Sequence, residues 1–219
     1  MIPPKENAAF VACMENLLDL YHRPYDPKRP LLAMAEHPVQ LTGETRIPVP
    51  EKPGHPRRYD YEYERNGTAA NFLFLEPLTG RRKVHVRERR TAVDWAYEIQ
   101  ELLEVDYPDA EVVVLVCDNL STHTIASLYK AFPPEKARSL AKRLELHYTP
   151  KHGSWLNVAE IELSVLARQC LDSRIPDLQT LANQVEAWKC DRNEKHRTVD
   201  WQFTTTDARI KLKKLYPKF

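Results

Sequence analysis

The sequence predicts an α/β fold, a mixed β-sheet flanked by α-helices, on three observations. Val112 to Val116 is an unbroken apolar, β-branched run, the pattern of a central strand buried on both faces. Three strand-like stretches come early, with no helix between them. After them, helical and strand patterns alternate to the end of the chain. A meander followed by βα alternation gives a mixed sheet with helices on its faces.

The elements follow in order. Phe10, Met14, Leu17, Leu18 and Tyr21 fall at helical spacing, so residues 5–21 form an amphipathic helix, ended by Pro24, Pro27 and Pro30. Leu31 to Met34 is a short buried strand. Residues 43–58, with Pro48, Pro50, Pro53 and Pro56, form a loop. Tyr59 to Leu75, with Asn66-Gly67 inside it, is a strand pair or one long strand with a bend. Arg81 to Arg90 alternates, Lys83, His85, Arg87 and Arg89 facing one way and Val84 and Val86 the other. Thr91 caps a helix with the apolar stripe Trp95, Ile99, Leu102 and Leu103. Ala126 to Arg143 is helical with a break at Pro133-Pro134, and Leu144 to Tyr148 is a further strand. Trp155 to Leu171 is apolar nearly all round, which predicts a buried helix. Leu178, Leu181, Ala182, Val185 and Trp188 line another helix, and a last short one runs near Ala208 to Leu215.

Composition narrows the function classes. A chain of 219 residues with formal net charge +1 holds a sizeable core and is not a strongly basic nucleic-acid-coating protein, though local basic patches remain open to it. Cys13, Cys117, Cys170 and Cys190 are scattered, a reduced pattern with no zinc-type pair. The start has no apolar signal core, and no apolar run nears the ~18 residues of a membrane span. These features lead us to expect a soluble cytoplasmic protein without membrane contact.

Two segments carry the chemistry. Asp118 ends the all-apolar strand, where open α/β sheets bind ligands; it serves equally well as a cap for the following helix. Glu160 and Glu162 share a helix but sit ~200° apart around it, so one site takes only one of them; periodicity does not choose. In the rigid loop Thr149 to Trp155, Lys151 and His152 could hold phosphates, while Trp155 is read as a core anchor. His123 could position a phosphate or a water, or be a helix-end histidine satisfied locally. Lys83, His85, Arg87 and Arg89, with Arg81, Arg82 and Arg90, form the densest positive cluster. It reads either as a phosphate track or as a charged edge strand that blocks sheet-to-sheet aggregation. Lys211, Lys213, Lys214 and Lys218 read as a solvated helix face.

At these residues the chain resembles a known family. Asp118-Asn-x-Ser-x-His-Thr and Tyr148-Thr-Pro-Lys-His-Gly-Ser-Trp-Leu-Asn157-x-Ala-Glu160 are similar to the DDE transposases of bacterial insertion sequences, in the mariner-like superfamily. Arg57-Arg-Tyr-Asp-Tyr-Glu-Tyr, Asn66-Gly-Thr-Ala, Arg89-Arg-Thr-Ala-Val-Asp and the stretch from Thr198 to Leu212 extend the likeness over essentially the whole chain. The resemblance implies a ribonuclease-H-like fold with a mixed five-stranded sheet. It also implies three acids that bind two Mg²⁺ (or Mn²⁺) ions for DNA strand cleavage and transfer. Asp118 takes the place of the second acid and Glu160 that of the third, which settles the choice over Glu162.

The first acid is missing. Where the family reads Leu-Asp-Glu-Lys-Pro, this chain has Met34-Ala35-Glu36-His37-Pro38. Ala35 supplies no oxygen, and alternation aims Glu36 at the opposite face, so Glu36 could substitute only through a twist or bulge. The family's N-terminal helix-turn-helix is also absent from this sequence. The expectation is a linker helix and Pro-rich connection over 1–30, a catalytic domain over 31–175 and a helical extension over 176–219. The expected function is a DNA transposase catalytic domain with impaired activity, acting on double-stranded DNA as a homodimer or beside an intact transposase. The alternatives are a non-catalytic DNA-binding or regulatory remnant, or an inert one.

Overall fold

A computed structural model of the chain describes residues 2–3, 5–56 and 58–218; Arg57, which opens one of the segments quoted above, lies outside them. The strands are β1 (Leu31–Glu44), β2 (Tyr63–Glu76), β3 (Arg81–Arg87), β4 (Val113–Cys117) and β5 (Leu144–Tyr148). They form one sheet in the order β3-β2-β1-β4-β5. The β1–β2 and β2–β3 pairs are antiparallel, and the β1–β4 and β4–β5 pairs parallel. The helices are α1 (Ala8–Tyr21), α2 (Ala92–Glu101), α3 (Ile125–Ala131), α4 (Pro134–Lys142), α5 (Val158–Cys170), α6 (Leu178–Glu194) and α7 (Thr205–Lys211). This is the mixed sheet flanked by helices that the sequence predicts.

Strand alternation divides the core in two. Ala33, Ala35, Leu73, Leu75, Val84, Val114 and Val116 face α1, α5, α6 and α7. Leu32, Met34, Phe72, Phe74, Leu115 and Cys117 face α2, α3 and α4, with Trp95 at their centre. Every residue of β4 is buried, as its unbroken apolar run requires. The chain ends meet on the first face, where the Asn7 N–H donates to the Leu215 carbonyl at 2.9 Å.

The differences from expectation have local causes. β1 runs ten residues past Met34, through Pro38. Its ladder with β4 stops at Ala33↔Val116, so the proline lies where one strand edge is open and no donor is missed. Asn66-Gly67 lies within β2 and makes a bulge: the register steps from Gln40↔Thr68 to Thr42↔Arg65, and Gly67 takes φ +100°, which suits glycine. β3 ends at Arg87, before the capping box of Thr91 with Asp94. α5 begins at Val158 after a 3₁₀ turn and is not buried all round: Glu160 and Ile161 are exposed, whereas Glu162 is buried.

The burial of Glu162 is satisfied by two arginines. Arg82 Nε donates to it at 2.6 Å, and Arg192 donates through Nε and Nη2 at 2.9 and 3.0 Å, joining β3, α5 and α6. Arg82 also donates to the carbonyls of Gly80 and Arg197, and so holds the chain after α6. Breaking a buried pair on one side leaves an uncompensated charge and costs about 3–5 kcal/mol. Glu162→Ala is therefore expected to lose about that much in urea denaturation. Arg209→Ala, which breaks an exposed pair with Glu15, should leave the midpoint nearly unchanged.

Candidate active site

Three positions converge at one end of the sheet. The parallel ladder of β1 with β4 pairs Leu31 with Val114 and Ala33 with Val116; carried on at the same offset, it sets Ala35 beside Asp118. Asp118 follows the last residue of β4, at the sheet end, where its charge acts on Glu160 of α5. The start of α5 is tied to the same spot by Asn157. Its Oδ1 caps the helix by accepting from the Ala159 N–H at 3.0 Å, and its Nδ2 donates to the Met34 carbonyl at 2.9 Å. Glu160 lies in the first turn beyond that cap and is exposed, turned away from Glu162.

Burial, and then the charge of Asp118, push the Glu160 carboxyl pKa above its ordinary value. Two carboxylates thus share a site whose charge is only partly compensated, a donor set suited to a hard divalent cation. Polar atoms on the same face are also left over. His37 and Asn71 are cross-strand partners next along β1 from Ala35, and His37 Nδ1 and both polar atoms of the Asn71 amide are buried without partners. Ala35, 1% exposed, offers no ligand. Asp118 and Glu160 are the residues here that could hold a divalent ion; the two-ion arrangement needs more carboxylate oxygens than they supply.

Glu36 does not fill the gap. The β1 register is unbroken through Glu36↔Phe72, and the bulge lies further on. Its side chain is therefore on the α2 face, 3% exposed, where Oε1 lies 2.8 Å from His123 Nε2. His123 is fully buried, stacked on Trp95 with ring centres 5.8 Å apart. Its Nδ1 makes an off-line charge contact of 2.5 Å with Asp118 Oδ1. Burial opposes a charge on this ring, but the Asp118 carboxylate, the Cys117 thiol and the Glu36 carboxylate outweigh it and raise its pKa to about 11. A phosphate contact for His123 is corrected accordingly: the ring is fully buried, with Nε2 on Glu36 and Nδ1 against Asp118.

The basic strand is likewise engaged with protein. Lys83 reaches Asp106 at 2.5 Å and Glu101 at 3.2 Å, and Arg87 pairs with the fully buried Glu98. His85, Glu98 and Glu101 present ligand-type atoms within 4.8 Å of one another, but these cations already neutralise the acids. The cluster is thus neither a bare phosphate track nor a bare charged edge; α2 and Asp106, just beyond it, supply its counter-ions. Arg89, beyond the strand, is exposed. Lys151 and His152 are exposed at the turn before α5, His152 with φ +68°. The turn closes with the Gly153 N–H on the Pro150 carbonyl, and a Cβ at Gly153 would lie 2.6 Å from the Pro150 ring. Trp155 packs edge-on to Phe203, a core anchor as expected. The double role of Asn157 and the Glu36–His123 bond were missed in the sequence; the only sign of the former was an Asn three residues before Glu160.

Residues 30–182 match a family model described as DDE superfamily endonuclease. Among solved structures, the fold is similar to the Mos1 mariner paired end complex with Mn. The TM-score is 0.58, with 15% identity, over 90% of this chain and 60% of that one. The Mos1 strand transfer complex gives 0.61 and 14%, over 90% and 59%. The Mos1 paired end complex with Mg gives 0.57 and 14%, over 100% and 66%. At these identities the likeness is one of fold, and the chain spans about three-fifths of the length of the first two. No curated protein matches the sequence.

The raised pKa of Glu160 has a consequence for stability. Ionised Glu160 contributes nothing below its unfolded value of ~4.3, and weakens the fold as pH rises through the higher folded value. Glu160→Gln is expected to match the parent near pH 3–4 and to exceed it at pH 7, as read from urea midpoints at the two pH values.

Proposed function

The chain belongs to the DDE superfamily endonucleases, and on that premise we propose that it is the catalytic domain of a mariner-like DNA transposase whose strand-cleaving site is impaired by Ala35. One observation carries the reading: Asp118 and Glu160 come from different elements to one sheet end, and the residue between them is an alanine. Asp118 and Glu160 would hold a divalent ion, Mg²⁺ or Mn²⁺. When bound, such an ion activates water or a DNA 3′-hydroxyl and stabilises the leaving oxygen. Asn157 fixes where Glu160 stands relative to β1. Lys151, His152 and Arg89, the exposed basic residues of the expected set, contact the phosphates of double-stranded DNA. Lys83 and Arg87 support α2 instead.

In this reading the chain acts paired, as a homodimer or beside an intact transposase that supplies the missing carboxylate chemistry. A regulatory, DNA-binding role without cleavage is the second reading, and Ala35 is the observation that favours it.

Nicking of supercoiled plasmid with Mg²⁺ or Mn²⁺ separates them. The chain as it stands is expected to be silent, Ala35→Asp to nick, and Ala35→Asp with Glu160→Gln to be silent again. Nicking by the unaltered chain would show that Ala35 does not disable the site. Silence from Ala35→Asp in a folded protein would overturn the cleaving reading and leave the DNA-binding remnant or the inert one. Titration of DNA binding against salt tests the interface. Lys151→Ala should lower the log–log slope by about 1, whereas Lys83→Ala should leave the slope unchanged.

A further inference from the structure

Glu36, His123 and Asp118 form a connected line from the buried α2 side of the sheet to the site. Glu36 Oε1 meets His123 Nε2 at 2.8 Å, and His123 Nδ1 meets Asp118 Oδ1 at 2.5 Å. Glu36 and His123 are 3% and 0% exposed, whereas the Asp118 side chain is 39% exposed. The line thus ends at a carboxylate reachable from outside. Further bonds immobilise the histidine. Its own carbonyl accepts from the Tyr148 hydroxyl at 2.8 Å, and the preceding Thr122 carbonyl accepts from Ser127 Oγ at 2.7 Å. Trp95 covers the ring, and Arg90 Nη1 lies 3.9 Å from Glu36 Oε2.

Packing alone would be met by any flat side chain on Trp95. It does not need a ring with one nitrogen on a buried acid and the other on an exposed one. Asp118 needs such help, since it lies past the end of its strand. There β4 no longer holds it, and its side chain would otherwise sample several rotamers. Partners behind a metal-binding carboxylate fix its orientation, and their loss costs about 10–100-fold in metal affinity or activity.

We propose that His123 is a positioning residue that aims the Asp118 carboxylate at the metal, and that Glu36 acts only through His123, not as a ligand. This rests on the reading of Asp118 and Glu160 as a metal site. It also accounts for why an acid adjacent to Ala35 does not replace the missing one.

The test is Mn²⁺ binding, followed by the free-Mn²⁺ EPR signal and by calorimetry, in the full chain carrying Ala35→Asp, with urea midpoints measured in parallel. Asp118→Asn should abolish binding. His123→Ala should weaken it about 10–100-fold, and His123→Asn, whose amide nitrogen reaches the place of Nδ1, should restore most of that loss. Glu36→Gln should weaken binding several-fold at most. A purely structural His123 would move the urea midpoints and leave the Mn²⁺ affinity of the folded protein within twofold, which would overturn the proposal. Loss with Glu36→Gln as complete as with Asp118→Asn would make Glu36 a ligand and also overturn it. Should His123→Ala not fold, Glu36→Gln and His123→Asn decide between the same outcomes. Absence of Mn²⁺ binding in the Ala35→Asp chain itself would overturn the metal-site reading, and this inference with it.

Discussion

The side-chain amide of Asn157 fixes the geometry on which the site depends. It is 1% exposed and uses both ends, Oδ1 on the first turn of α5 and Nδ2 on the carbonyl of Met34. The ladder between β1 and β4 covers only three residue pairs, so at Ala35 the strand is held by β2 alone, through Ala35↔Leu73. Asn157 adds the tie on the open side by joining the helix that carries Glu160 to the strand that carries Ala35. A buried amide left without one of these partners costs roughly 1–3 kcal/mol. The bond therefore favours one placement of α5 rather than a range of them. Asp118 is approached separately by His123, in a charge contact of 2.5 Å, so two independent ties meet at one spot.

Charge is allocated by the same logic. The chain is almost neutral, with 32 Lys and Arg against 31 Asp and Glu, and much of that charge is matched internally. Glu162 is matched by Arg82 and Arg192, Glu98 by Arg87, and Asp106 by Arg81 and Lys83. These bonds pin α2, α5 and α6 to the edge strand β3. They also neutralise most of that strand's positive charge, whereas Lys151, His152 and Arg89 stay exposed.

Periodicity carried the fold because most elements have one dominant signal. β4 is apolar throughout, β5 is bounded as expected, and Thr91 caps α2 with Asp94 completing the box. Where the signal was mixed, tertiary context decided. β1 outruns its expected end at Met34 and passes through Pro38, because β4 has already left that edge. Asn66-Gly67 is a turn signal that became a bulge, since the partner strand continues on both sides of it. The two acids of α5 were indistinguishable by spacing. Glu162 is buried only because Arg82 and Arg192, distant in sequence, are there to meet it. His123 fell between two readings for the same reason, because its partner Glu36 is eighty-seven residues away.

Ala35 reads differently once its surroundings are known. It is packed on the face of Ala33, Leu73 and Val116, under the helix that brings Glu160. A carboxylate at this position would be desolvated beside two others, and a cation in the site would be the group that offsets that cost. Without a metal, an acid here weakens the fold, and an alanine avoids that cost. This is the usual opposition between stability and function at a site built from like charges. The Glu36–His123 bond is independent of that exchange, since it lies on the other face of the sheet. In the proposed reading, Ala35 leaves one of three positions without a carboxylate, while His123 and Asn157 still support Asp118 and Glu160 at the other two.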